Sequence, residues 1–156
     1  MAGETVFYKR STFVTHLPKD YLFSPSHYWL APEPDGIWRV GFTKFATRML
    51  GDLVDHQFEK KSGDPVGPGE IIGSVEGFKA ISDLYSPVEG AFVEGNAALA
   101  QDPELIGNDP YHAGWLFRIQ GAPDPRCGAV DTYRALLDAT IDRMLEKQSD
   151  SADAGS

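Results

Sequence analysis

Cysteine is almost missing from this chain. Cys127 stands alone, which excludes an intramolecular disulfide and a cysteine metal cluster. Long apolar runs are missing as well: none nears the roughly 18 residues that cross a bilayer. The opening Met1-Ala2-Gly3-Glu4-Thr5-Val6 lacks the basic-then-apolar order of a secretory leader. The expectation is a cytoplasmic protein without a membrane partner. Basic side chains are scarce, 14 against 23 acidic ones, for a net charge of −9. The imbalance is local, because Asp52 to Asp109 holds twelve carboxylates against only Lys60, Lys61 and Lys79. Such a field repels phosphate backbones, which argues against nucleic acid, and it steers the molecule toward basic surfaces on partner proteins. A solvated acidic face that aids solubility is the plainer alternative.

Recognisable catalytic motifs are lacking too. The four histidines at 16, 27, 56 and 112 do not have the short spacing of helical zinc motifs, so no metal is expected. Gly67-Pro68-Gly69 with Gly73 is not a dinucleotide turn, and no Gly-Lys-Ser or Gly-Lys-Thr phosphate loop occurs. Ser82 beside Asp83 sits in no nucleophile elbow, and an Asx-type turn accounts for the pair. Hydrolase catalysis is not expected, and no catalytic residue is assigned.

What is present describes one β-rich domain. At 156 residues, with 42% hydrophobic and 24% charged residues, the chain has room for one main core and the composition to fold it. Sixteen glycines and eleven prolines cut the middle into short apolar runs suited to strands. His27 to Leu30 and Ile37 to Phe42 read as a hairpin closed by Asp35-Gly36. Thr43 should cap a two-turn helix over Lys44 to Leu50, with Phe45, Ala46 and Met49 inward and Gly51 ending it. Strands are expected over Asp52 to Phe58, Glu70 to Glu76, Ala91 to Glu94 and Trp115 to Ile119, with Tyr85 to Val88 leading toward the third. Val-Glu-Gly recurs at 75–77, 88–90 and 93–95, a weak hint of a repeat. Asp102-Pro103-Glu104-Leu105-Ile106 reads as one capped helical turn. Beyond Pro125, Val130, Tyr133, Leu136, Leu137, Ile141, Met144 and Leu145 recur at helical steps. They predict one long helix from Val130 to Lys147 that packs on its own core.

Lys79 stands out. It is the only lysine or arginine between Lys61 and Arg118, and it falls where the chain reverses between two apolar arms. A turn lysine projects its amine away from both arms, where a second enzyme can surround and acylate it. Acylation removes the charge and lengthens the lever. A plain solvated lysine is the alternative.

The stretch Gly73-Ser74-Val75-Glu76-Gly77-Phe78-Lys79-Ala80-Ile81-Ser82-Asp83-Leu84-Tyr85-Ser86-Pro87-Val88-Glu89-Gly90 resembles the lipoyl-lysine region of glycine cleavage system H proteins. Pro18 to Tyr21 with Ser26 to Trp29, Val40 to Thr43 with Leu50 to Asp52, and Asn108 to Phe117 resemble other segments of that family, so the likeness covers roughly residues 18 to 120. It implies a mainly β barrel-sandwich hybrid of the lipoyl or biotinyl hammerhead type, with a few helices. The expected organisation is an N-terminal extension (1–17), the lipoyl-carrier domain (18–122), a packed C-terminal helix (123–147) and a flexible tail (148–156), in a monomer.

The resemblance further implies lipoate in amide linkage to Lys79, attached by a lipoate ligase or a lipoyl or octanoyl transferase. Glu76, Gly63 and Gly90 match positions tied to recognition by such enzymes; the two glycines also suit positive-φ turns. The lysine stem and lipoyl chain hold roughly ten single bonds, and at ~1.5 Å each the dithiolane sweeps on the order of 10 Å. In the family's cycle, a pyridoxal-phosphate (PLP) glycine decarboxylase loads an aminomethyl group onto the arm. A folate-dependent aminomethyltransferase unloads it, and the FAD enzyme dihydrolipoyl dehydrogenase reoxidises the dithiol.

Between encounters the loaded arm folds into a cleft, to which Ser26, Tyr28 and Asp83 are matched. The family's His-Glu-Trp is His27-Tyr28-Trp29 here. A phenol thus replaces a carboxylate that would favour a cationic cargo by about 1.5 to 3 kcal/mol. That substitution leaves open a lipoate carrier with another cargo, as in bacterial sulfur oxidation; a third reading, with Lys79 a plain surface turn residue, is an unmodified β-domain acting as a protein-binding scaffold.

Overall fold

A computed structural model describes residues 4–154, with side chains described through Gln148. The chain is mainly β. Its elements are β1 (Thr5–Arg10), β2 (Phe13–Pro18), β3 (Leu22–Phe23), β4 (Tyr28–Pro32), β5 (Ile37–Phe42), α1 (Lys44–Leu50), β6 (Leu53–Phe58), β7 (Pro65–Val66), β8 (Ile71–Gly77), β9 (Ile81–Tyr85), β10 (Val88–Gly95), α2 (Leu105–Asn108), β11 (Phe117–Pro123) and α3 (Val130–Ala154). Among the described residues the strands form a six-stranded sheet in the order β3-β4-β5-β11-β10-β7, a three-stranded sheet β6-β8-β9, and the separate hairpin β1-β2. Every strand pairing is antiparallel.

β4 shows why two cores exist. Successive strand side chains point to opposite faces. Tyr28 and Leu30 join the core between the two larger sheets, with Val40, Ile72, Leu84, Phe92 and Phe117. Trp29 and Ala31 point the other way, into a second core with Phe13 and Leu17 of the hairpin, Phe45 of α1, and Tyr133, Leu137 and Ile141 of α3. A strand buried on both faces reads as a continuous apolar run, as this one does. Trp29 is fully buried, and its indole N–H donates to the Pro110 carbonyl at 2.8 Å.

Its ring lies over Gly41, where an added Cβ would stand 2.5 Å from two ring carbons. Gly41→Ala is therefore expected to destabilise the fold by about 1 to 3 kcal/mol through overpacking. Urea unfolding measures this, and an unchanged midpoint would contradict the packing described.

The N-terminal residues, given no role by the sequence, form a wall of the second core. Tyr8 donates to Asp138 at 2.7 Å, and the Arg10 guanidinium grips Asp142 at 2.9 and 2.7 Å, tying β1 to α3. Tyr133 stacks on Phe23 with ring centroids 4.8 Å apart.

Several expectations need correction. Met49 does not face inward; it is 48% exposed, while Phe45, Thr47 and Leu50 are the buried residues of α1. Leu145, placed in the apolar stripe, is 42% exposed. α3 runs to Ala154, so positions 148–154 of the expected tail are helical, and 155–156 lie outside the described residues. The closing strand starts at Phe117, two residues later than expected, because Asn96 claims the Trp115 carbonyl through Nδ2 and the Leu116 carbonyl through its backbone N–H. α2 begins at Leu105 without a side-chain cap, and Asp102 offers only its backbone carbonyl. Ser82 and Asp83 lie inside β9, not in a turn.

Candidate functional site

Lys79 sits at the tip of the β8-β9 hairpin, exposed, between exposed Phe78 and Ala80. Gly77 N–H donates to the Ala80 carbonyl at 2.9 Å, which closes the turn. The tip rests on the C-terminal end of α1: Lys79 N–H donates to Leu50 O at 2.9 Å, Phe78 N–H to Asp52 O at 3.0 Å, and Lys79 Nζ to Arg48 O at 3.4 Å. The bonds to Leu50 O and Arg48 O satisfy carbonyls that the helix end leaves free.

Two glycines permit the approach. A Cβ at Gly77 would meet Leu50 O at 2.2 Å, and one at Gly51, whose φ is +78°, would meet the Lys79 Cγ at 3.0 Å. Thr43 begins α1 as its N-cap, as expected, and Gly51 ends it. The sequence revealed Gly51 as a helix stop but not as space for the lysine stem; the recurring Val-Glu-Gly was the one signal for Gly77.

Asp83, far from Ser26 and Tyr28 in sequence, joins them in lining one cleft of about 280 Å³, together with His27 and Met49. Asp83 is the single charged side chain among its lining residues. Tyr28 is buried against Phe42, and its hydroxyl accepts from Tyr85 N–H at 3.1 Å. Burial pushes its pKa up to about 12, so it stays a neutral phenol whose proton is free to be donated. His27, at φ 71°, is held by Tyr133 through Nδ1 at 2.8 Å, and burial lowers its pKa to about 4. It therefore adds no positive charge to the cleft near neutral pH.

Glu76 is exposed on β8, across from Ile81, three residues before the lysine. Gly63 and Gly90 lie away from the tip. Gly63 has φ +90°, in keeping with a turn. Gly90, expected in a turn, is instead within β10, where an added Cβ would meet Gln120 O at 1.9 Å; it is a glycine because β11 passes so close. Cys127 is half-buried, and burial raises its thiol pKa to about 11, so it is a poor nucleophile near neutral pH. Among the described residues no His, Cys, Asp and Glu group could hold a metal, and no helix is long and apolar enough to cross a membrane.

The family described as Glycine cleavage H-protein matches residues 21–135. The chain belongs to that family. The glycine cleavage system H protein of Streptomyces avermitilis is 41% identical over 109 residues, covering 70% of this chain and 86% of the relative. That of Escherichia coli O7:K1 is 37% identical over 136 residues, covering 86% of this chain and all of the relative. A crystal structure of the glycine cleavage system H protein from Mycobacterium marinum superposes with a TM-score of 0.69 at 39% identity, covering 76% of this chain and 97% of that one. For this H-protein family member, β1, β2 and most of α3 lie outside the matched segment.

Proposed function

We propose that this chain carries lipoate in amide linkage on Lys79 and serves as the non-catalytic H protein of a cytoplasmic glycine cleavage system. The observation that carries the reading is the place of Lys79: an accessible amine on a hairpin tip pinned to a helix end, in a chain of this family. The surroundings fit the group. The tip is open, the stem has room over Gly51, and an apolar cleft with one carboxylate opens nearby. When attached, the lipoyl disulfide supplies a reducible carrier for an aminomethyl fragment.

The protein's own residues then do three things. Backbone bonds to Leu50 and Asp52 hold the tip in one orientation for a lipoate ligase or a lipoyl or octanoyl transferase, with Glu76 read as the local recognition residue. Gly63 and Gly90 support recognition indirectly, by fixing the shape of the β7-β10-β11 region. Asp83, with Ser26 beside it, offers the anionic partner for a protonated amine, while His27 stays neutral and Tyr28 supplies a hydroxyl in place of the family's carboxylate. Tethering keeps the cargo at high effective concentration once the carrier docks on glycine decarboxylase (PLP), aminomethyltransferase (folate) or dihydrolipoyl dehydrogenase (FAD). The acidic segment around Lys79 favours basic docking faces on them.

The test is reconstitution. The lipoylated protein, mixed with a glycine decarboxylase, should support glycine-dependent bicarbonate exchange well above the lipoyl-free protein. Equal exchange rates would remove the reading.

A further inference from the structure

Lys79 does not line the Asp83 cleft, but it does line a second trough, of about 480 Å³, on the other side of Met49. That trough lies between α1, the β1-β2 turn and α3, so two of its three walls come from outside the segment matched by the family. Its apolar surface includes Phe13, Phe45, Met49, Ile141, Met144 and Leu145. The walls are braced. Arg10 bonds Asp142 of α3, and Arg48 of α1 reaches Thr12 O at 3.3 Å and Thr12 Oγ1 at 3.2 Å, with its guanidinium 5.7 Å from the Phe13 ring centre.

The two spaces share Phe45 and Met49 but differ in charge. The Asp83 cleft contains one carboxylate and no cation. Once Lys79 is an amide and uncharged, the trough keeps two guanidinium groups, Arg10 paired with Asp142 and Arg48 held on Thr12 and Phe13 rather than on a carboxylate, and no carboxylate lines it. A cationic, amine-bearing arm is favoured in the first and repelled from the second. A neutral dithiolane or dithiol has the opposite preference: it has no need of a carboxylate, and its polarizable sulfur suits aromatic and thioether contacts.

We propose that the trough between α1, the hairpin and α3 is the resting seat of the unloaded lipoyl arm, so that charge sorts the two states of the arm to opposite sides of Met49. This rests on the carrier reading above. The tether selects the occupant: Lys79 lines this trough and also a more polar space toward α2 that includes Asp52 and Glu104, so a group on Lys79 Nζ reaches either ahead of any partner's side chain, and a neutral, apolar ring favours the apolar one.

Methionine occurs three times in the chain, so a ¹³C-methyl-methionine spectrum has three signals, assignable by single substitutions. The full-length protein is compared before and after enzymatic lipoylation, with intact mass confirming the adduct. The expected result is that the Met144 and Met49 methyl signals both shift when the oxidised arm is attached. Loading the arm with an aminomethyl group should return Met144 toward its lipoyl-free position. In lipoylated Leu145→Glu, a change at an exposed position, the Met144 response should be lost and the fold kept. An adduct at Lys79 with Met144 unmoved overturns the trough and leaves the carrier reading intact. Failure of any adduct to form at Lys79 under a competent lipoylating enzyme overturns both.

Discussion

Lys79→Arg is expected to reduce glycine-dependent bicarbonate exchange to the level seen without any H protein, while leaving the fold untouched. The two halves of that result have separate physical grounds. A guanidinium does not form the stable amide that a primary amine forms with an activated acyl group, so the carrier loses its arm altogether. The side chain is exposed, and its one hydrogen bond, to Arg48 O at 3.4 Å, is one that arginine can also make. The backbone bonds to Leu50 do not depend on the side chain. Stability should therefore stay within about 0.5 kcal/mol of the parent. Retained exchange in the arginine variant would sink the assignment of Lys79, whereas a collapsed fold would contradict the geometry of the tip.

The second large effect is on stability below neutral pH, through His27. Burial lowers its folded pKa to about 4 from an ordinary 6.5, so between those values the unfolded chain binds the proton more readily. Its contribution is fully present above about pH 6.5 and is lost as the pH falls toward 4. At the lower end the loss amounts to about 3 kcal/mol, from 1.36 kcal/mol per pKa unit. Carboxylates titrate in the same range, so the comparison is with His27→Asn, which tolerates the left-handed backbone at φ 71° and does not titrate. Urea unfolding of both proteins from pH 7 to 4.5 should show the parent losing stability more steeply, and parallel curves would mean that His27 titrates normally. The same titration bears on function, since a charged His27 beside Asp83 would compete with a cationic cargo.

Much of the fold was legible because local chemistry and tertiary structure agree along the middle of the chain. The left-handed Asp35 and Gly36, Thr43 at the N-cap and Gly51 at the helix end each occupy the conformation their residue type favours. Met49 was misjudged since helical spacing puts it beside Phe45, and only the arrangement of the hairpin tip and α3 leaves that side open. Gly90 was misread because a glycine required by close strand approach looks, in sequence, like a glycine required by a turn. Nothing local marks Thr5 to Pro18 as a wall of the core: its partners Asp138 and Asp142 lie about 130 residues away. For the site, Lys79 stood out by isolation and resemblance, and Ser26, Tyr28 and Asp83 by resemblance alone. Their meeting in one cleft depends on how β4, α1 and β9 are packed, which no spacing encodes.

Everything proposed depends on a covalent arm at one position. The most direct measurement is intact mass of protein purified from its own cells during growth on glycine, followed by a peptide map. The expected result is a lipoyl amide on Lys79 and on no other lysine. A bare Lys79 throughout that material, or an adduct mapped to a different residue, would contradict it.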